Sequence, residues 1–356
     1  MTIDMLIFDM DGVVTTEEKY WACARLTIWE LVTETLGLKK AFGDAAQDER
    51  IRESIITDND IYTLKGRAVN SNWDLAYVVG CVYLAALPGT MVLTAPTVTD
   101  LLEAIGESTT GPANWPGALD AFLNGTGGAK GRALIQAAGT RLQTSLALDS
   151  DELLRVDGPL WWYLHDKFQT WYSGVAMTAH NAPPLVDGTV IPAEQLHETF
   201  RLLRDEGYTL GAATGRPRSE LEDALGSLGL LDYFDPARLG TFDVVMQAEA
   251  KTGLTGLSKP HPFTLLRALY PRAEIDVLLD EEFQKMKRDN VAVIGDSTSD
   301  VFMAKAAGCH TVGVLSGVRG VETLVERHKL LMHVGCEAIL DDVTHLPDWL
   351  AGQMDG

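Results

Sequence analysis

The chain has 356 residues, enough for one or two domains with full cores. Hydrophobic residues make up 46% and charged residues 22%, a globular composition that excludes wholesale disorder. With 50 acids against 29 bases the formal charge is −21, which argues against nucleic acid as a partner because a phosphate backbone would be repelled.

No apolar run reaches the ~18 residues that a membrane helix needs, so no membrane association is expected. The start of the chain is strand-like and acidic, unlike the basic and then apolar pattern of a signal peptide. Cys23, Cys81, Cys309 and Cys336 are far apart and share no C-x-x-C spacing. They read as buried thiols in a reducing compartment, and cytoplasm is the expected location.

Residues 3–9 form an apolar strand ending in LIFDMDGVVTT, in which Asp9 and Asp11 stand one residue apart before Gly12. Such an apolar run suits a strand buried on both faces of a parallel sheet. From about Tyr20 to His180 the period is helical, with Pro and Gly breaks, and this stretch holds seven of the eight tryptophans. Residues 19–180 carry 18 acids and 13 bases, a net of −5, so most of the acid excess lies elsewhere. NAPPLVDG (181–188) closes it with a Pro-rich turn.

Strand–helix alternation then begins. A helix over AEQLHETFRLLRDEG leads into the strand YTLGAAT; the helix SELEDALGSLGL is followed by TFDVVMQ, read as a strand. HPFTLLRALY is a helix, YPRAEIDVLLDEEFQKMKRDN a charged helical excursion, and VAVIGD an apolar strand. The helix SDVFMAKAAG, the strand HTVGVLSG, the helix GVETLVERHKLL (320–331) and a short strand CEAIL complete the chain. The expected fold is α/β: a Rossmann-like, doubly wound parallel sheet built from residues 1–18 and 181–356. A mostly α-helical domain, 19–180, is inserted after the first strand.

Parallel sheets bind ligands at the carboxyl ends of their strands. There this sequence puts Asp9 and Asp11, then Thr214-Gly215-Arg216, then Asp296 with Asp300 one turn later; Lys259 precedes a helix between them. A hydroxyl, a lysine and four carboxylates at one edge suit Mg²⁺ together with a transferable phosphoryl group, because Mg²⁺ takes hard oxygen ligands and lets neighbouring carboxylates stay ionised. In the insertion, NGTGGAKGR (124–132) is a Gly-rich loop that could bring Lys130 and Arg132 to a second anionic group, without the spacing of a P-loop.

DMDGV, AATGRP, the lysine of SKP and GDSTSD, in that order and each in its strand context, resemble the four motifs of the haloacid-dehalogenase-like hydrolase superfamily. The insertion resembles an enlarged helical cap of the type placed after the first strand. The resemblance implies that Asp9 is the nucleophile forming an aspartyl phosphate and Asp11 the general acid/base. It implies that Thr214, Gly215 and Lys259 hold the phosphoryl group, and that Asp9, Asp11 (through its backbone carbonyl) and Asp296 bind Mg²⁺. Asp300 would hold a metal-bound water or orient Lys259; Arg216 would face the phosphate or pair at the surface.

Asp11 supplies a proton for an oxygen leaving group, so a phosphatase acting on a small phosphorylated metabolite is the favoured reading. The cap would exclude bulk water, with hinges near Thr15–Glu18 and Asn181–Gly188. One alternative is a sugar-phosphate mutase of the same superfamily, whose members carry a His where this chain has Trp21. The other is a catalytically silent member serving as a binding or regulatory protein, against which the intact carboxylate set speaks.

Overall fold

The computed structural model describes residues 3–38, 55–69, 71–87, 89, 94–109, 115, 117–318 and 324–354. Two compact units emerge: Met1–Glu17 with Asp187–Gly356, and Glu18–Val186. The second crossing falls at 186/187 rather than 181 because Ala182 and Leu185 pack on the core of the helical unit.

The discontinuous unit is built on a six-stranded, wholly parallel sheet. Its strands are β1 (Met5–Phe8), β2 (Thr209–Ala213), β3 (Leu239–Gly240), β4 (Arg288–Gly295), β5 (Cys309–Val314) and β6 (Ala338–Leu340). Their order is β3-β2-β1-β4-β5-β6, so the first strand is central and the chain reverses direction across it. Alternation along β1 feeds two cores. Leu6 and Phe8 join Phe200, Leu221 and Leu346 on one face, with Phe8 edge-on to Phe200 at 5.4 Å between centroids. Ile7 joins Phe263, Leu266 and Met303 on the other.

The expected strand at TFDVVMQ is instead the start of the helix Phe242–Thr252. Val245 and Ala248 are buried at helical spacing whereas Met246 is exposed, and Thr241 opens the helix in extended conformation. Only Leu239 and Gly240 remain to pair with β2. The charged excursion is two short helices, Ile275–Leu279 and Glu281–Lys285. The helix read over 320–331 runs over Leu324–His333 among the described residues; 320–323 lie outside them.

The helical unit is organised around Asn72–Ala85, a helix buried continuously from Leu75 to Leu84. It packs against Glu18–Glu30, Gly131–Leu146 and Pro159–Tyr172. Close approach is achieved at Gly139, where a Cβ would stand 2.3 Å from the Leu154 carbonyl oxygen and 2.6 Å from the Tyr77 hydroxyl. Trp21, Trp29, Trp115, Trp161 and Trp171 belong to this core, while Trp162 is exposed. All four cysteines are free and buried. No helix among the described residues is long and apolar enough to cross a membrane.

Candidate active site

The sheet register levels the ends of three strands. Phe8 pairs with Ala212 on one side and Ile294 on the other, so Asp9, Thr214 and Asp296 leave the sheet within a residue or two of the same height. The Asp9 amide still donates to the Ile294 carbonyl at 2.8 Å and the Thr214 amide to that of Gly240 at 2.9 Å, which pins both residues to the sheet edge. A tight turn then follows β1, with the Val14 and Thr15 amides both donating to the Met10 carbonyl.

Carboxylate oxygens of Asp9, Asp296 and Asp300 lie within 4.8 Å of one another. Lys259 bridges two of them, its Nζ standing 2.7 Å from Asp9 Oδ1 and 2.7 Å from Asp300 Oδ1. The other oxygen of Asp300 is held by the Ser297 amide at 3.2 Å and the Ser297 hydroxyl at 2.6 Å, a reciprocal cap on the helix Thr298–Ala306. Asp300 is thus buried and in contact with Lys259, while Asp9 and Asp296 keep partial exposure.

Three glycines let this cluster close. A Cβ on Gly12, whose φ is +83°, would stand 2.3 Å from Asp296 Oδ2, and one on Gly317 would stand 2.2 Å from the same oxygen. A Cβ on Gly295 would meet that of Asp300 at 2.3 Å.

Charge is unbalanced within the cluster. Burial raises the Asp9 pKa well above the carboxylate range; Lys259 opposes the shift, and Asp300 and Asp296 add to it. Burial likewise lifts Asp296 to about 7 against the pull of Arg327, with Asp300 and Glu17 pushing the same way. Burial works against the Lys259 ammonium, but Asp300 and Asp9 outweigh it and raise its pKa. Three close carboxylates against Lys259 and Arg327 still leave one negative charge in excess, which favours a further cation, and the donors are all hard oxygens. The residues fit a small divalent cation held by Asp9 and Asp296.

Thr214 is buried, with its Oγ1 accepting from the Arg216 amide at 3.2 Å, and Gly215 is exposed with open space where a Cβ would stand. The Asp11 carboxylate lies outside the metal-suited trio, facing Arg216 with Nη2–Oδ1 at 2.5 Å and receiving the Thr15 hydroxyl at 3.1 Å. Its side chain is held between the β1 turn and Arg216. Arg216 is neither at the surface nor turned to an open anion site: it is buried and spends its donors on Asp11 and Asp187. Lys130 and Arg132 belong to the helical unit, Lys130 exposed and Arg132 paired with Asp157 at 3.0 Å. Their loop is tied down by Arg67, which donates to the Leu123 carbonyl at 3.0 Å and the Thr126 hydroxyl at 3.1 Å.

Sequence reasoning missed Arg327, whose Nη1 donates to the Asp296 carbonyl and lies 3.3 Å from Asp296 Oδ2. It missed Asp187, Gly12 and Gly317 as well. The glycine after D-x-D carried a usable signal, since a left-handed turn residue beside a carboxylate implies close approach; Arg327 and Asp187 carried none, being distant in sequence from what they touch.

The profile of the family described as haloacid dehalogenase-like hydrolase matches residues 146–314, which include Thr214, Lys259, Asp296 and Asp300. A probable phosphatase, IndB, of Dickeya dadantii is 30% identical over 141 residues, 40% of this chain and 50% of that protein. A phosphoglycolate phosphatase of Yersinia pseudotuberculosis is 28% identical over 134 residues, 38% of this chain and 47% of that protein. The chain thus spans about half the length of these curated relatives. A crystal structure from the Northeast Structural Genomics Consortium superposes with a TM-score of 0.74 at 23% identity, covering 99% of this chain and 100% of its own, and so shares the fold. The matched profile and the parallel sheet together identify residues 146–314 as similar to the haloacid-dehalogenase-like hydrolases.

Proposed function

We propose that the protein is a Mg²⁺-dependent, cytoplasmic phosphatase that hydrolyses a small phosphorylated metabolite through a phosphorylated Asp9. The observation that carries this reading is the convergence of Asp9, Asp296 and Asp300 at the strand ends with Lys259 bridging Asp9 and Asp300. The phosphatase names of the two relatives support it.

In this reading an Asp9 oxygen attacks phosphorus in line with the departing alcohol. Lys259, the Thr214 hydroxyl and the Gly215 amide hold the phosphoryl oxygens and offset the charge that develops on them. Asp11 gives a proton to the leaving oxygen as the ester bond breaks, then takes one from the water that releases phosphate from Asp9. Asp9 and Asp296, with the Asp11 carbonyl, would hold Mg²⁺, which supplies charge neutralisation between carboxylate and phosphate. Asp300 keeps Lys259 aimed.

The test is phosphate release across a panel of phosphorylated metabolites with Mg²⁺, using Asp9→Asn as the control. Beryllium fluoride with Mg²⁺ should form a stable adduct with the wild type and not with the Asn variant. Equal phosphate release by both proteins refutes the proposal.

A further inference from the structure

Arg216 is among the most buried charged side chains of the described residues, 2% exposed, and its guanidinium ties two other chain segments to its own. Its Nε stands 3.2 and 3.1 Å from the two carboxylate oxygens of Asp11, and its Nη2 2.5 Å from Oδ1. Nη2 also reaches the Thr15 hydroxyl at 3.0 Å and the Thr16 carbonyl at 3.4 Å. On the far side Nη1 meets Asp187 Oδ1 at 3.0 Å, and that carboxylate is itself buried.

Burying a guanidinium between two carboxylates is a poor way to gain stability, since desolvation offsets most of the attraction and apolar packing often does better. What such a fork does supply is direction. Two N–H groups on one carboxylate fix its plane as well as its position, which a lysine cannot do. Asp11 is approached in this way by Arg216 and from a third direction by the Thr15 hydroxyl at 3.1 Å. Its backbone is equally constrained, the Gly12 amide donating to the Thr15 carbonyl at 2.8 Å.

We propose that Arg216 is a positioning residue that aims the Asp11 carboxyl for proton transfer, and that Asp187 holds Arg216 at the angle this requires. The inference rests on the phosphatase reading and deepens it. Asp11 must pass its proton to the ester oxygen while the P–O bond to the alcohol breaks and the bond from Asp9 to phosphorus forms. A carboxyl misaimed by an ångström loses much of that assistance.

The experiment compares the first turnover of Arg216→Lys, Asp187→Asn and wild type on two substrates with Mg²⁺. One is a primary alkyl phosphate, whose alkoxide needs a proton to leave; the other is 4-nitrophenyl phosphate, whose phenolate leaves without one. For Arg216→Lys the alkyl rate should fall about 100-fold, and for Asp187→Asn about 10-fold, as expected when general acid assistance is lost in whole or part. The nitrophenolate burst and both KM values should stay within about threefold of wild type, because neither depends on that proton. Equal losses on both esters, or an unchanged alkyl rate, overturn the inference alone. Should Arg216→Lys fail to fold, Asp187→Asn carries the same comparison. Absence of turnover by the wild type on every phosphate ester, with no Asp9-dependent adduct, overturns the phosphatase reading and this inference together.

Discussion

Replacing Lys259 by Met keeps the side-chain volume and removes the charge between Asp9 and Asp300. Both contacts are 2.7 Å, and Lys259 Nζ sits on a side chain only 13% exposed. Each contact contributes a gross attraction of roughly 6 kcal/mol at an effective dielectric of 20, most of it offset by desolvation. Removing one partner of such a buried group typically costs about 3–5 kcal/mol, because the remaining charges are left uncompensated. We expect a loss near 3 kcal/mol, since Asp9 can take up a proton and relieve part of the repulsion. The loss should be read where the charges lie. In EDTA, amide exchange in β1 and β4 should accelerate about 100-fold in Lys259→Met, the equivalent of that free energy. Millimolar Mg²⁺ should shrink the difference by restoring a cation to Asp9. Exchange rates within threefold of wild type in EDTA, or acceleration that ignores Mg²⁺, would refute the idea that Lys259 is the compensating charge of this cluster.

Gly317→Ala and Gly12→Ala should each cut phosphate-ester turnover by about 100-fold with circular dichroism unchanged, because the added methyl meets Asp296 Oδ2 at 2.2 or 2.3 Å and displaces the carboxylate proposed to hold the metal; retained turnover would mean that Asp296 has room to spare. In the helical unit, burial lifts Asp74 to about 6, opposed by the hydrogen bond from Trp161 Nε1 at 2.8 Å. The folded state keeps a proton that the unfolded chain releases near 4, so this stabilisation is complete below pH 4 and is lost as pH rises through 6. Urea titrations should show Asp74→Asn gaining about 2 kcal/mol on wild type between pH 4.5 and 7, and parallel curves would contradict it. Arg25 is 1% exposed and donates to the Ile56 carbonyl at 2.7 Å and to Asp58 at 2.6 Å. Arg25→Met should destabilise the helical unit by about 3 kcal/mol, with faster amide exchange at 55–66 and little change in β4.

What the sequence disclosed and what it hid divide by distance along the chain. Asp9, Thr214, Asp296 and Asp300 were legible because each follows an apolar run, and parallel strands end at one edge whatever separates them in sequence. Lys259 was legible from its local SKP signature. The Arg216–Asp187 and Arg327–Asp296 contacts were not, because only the folded backbone decides which carboxylate a long guanidinium meets. TFDVVMQ went astray for a local reason: two adjacent valines read as strand, but the spacing of Val245 and Ala248 and the polar Thr241 before them were helix signals of equal strength. The short β3 could not have been sized from sequence, since its two residues pair only because Ala212 and Ala213 lie beside them.

The central place of β1 in the sheet bears on biosynthesis. Leu6 is flanked in the sheet by Leu210 and Ala292, some two hundred and nearly three hundred positions further along. A ribosome therefore releases a bare hydrophobic ribbon long before its neighbours exist, and the helical insert can condense while that ribbon waits. Truncated nascent chains should be sticky until β4 has emerged, a vulnerability that chaperones binding extended apolar segments are suited to cover.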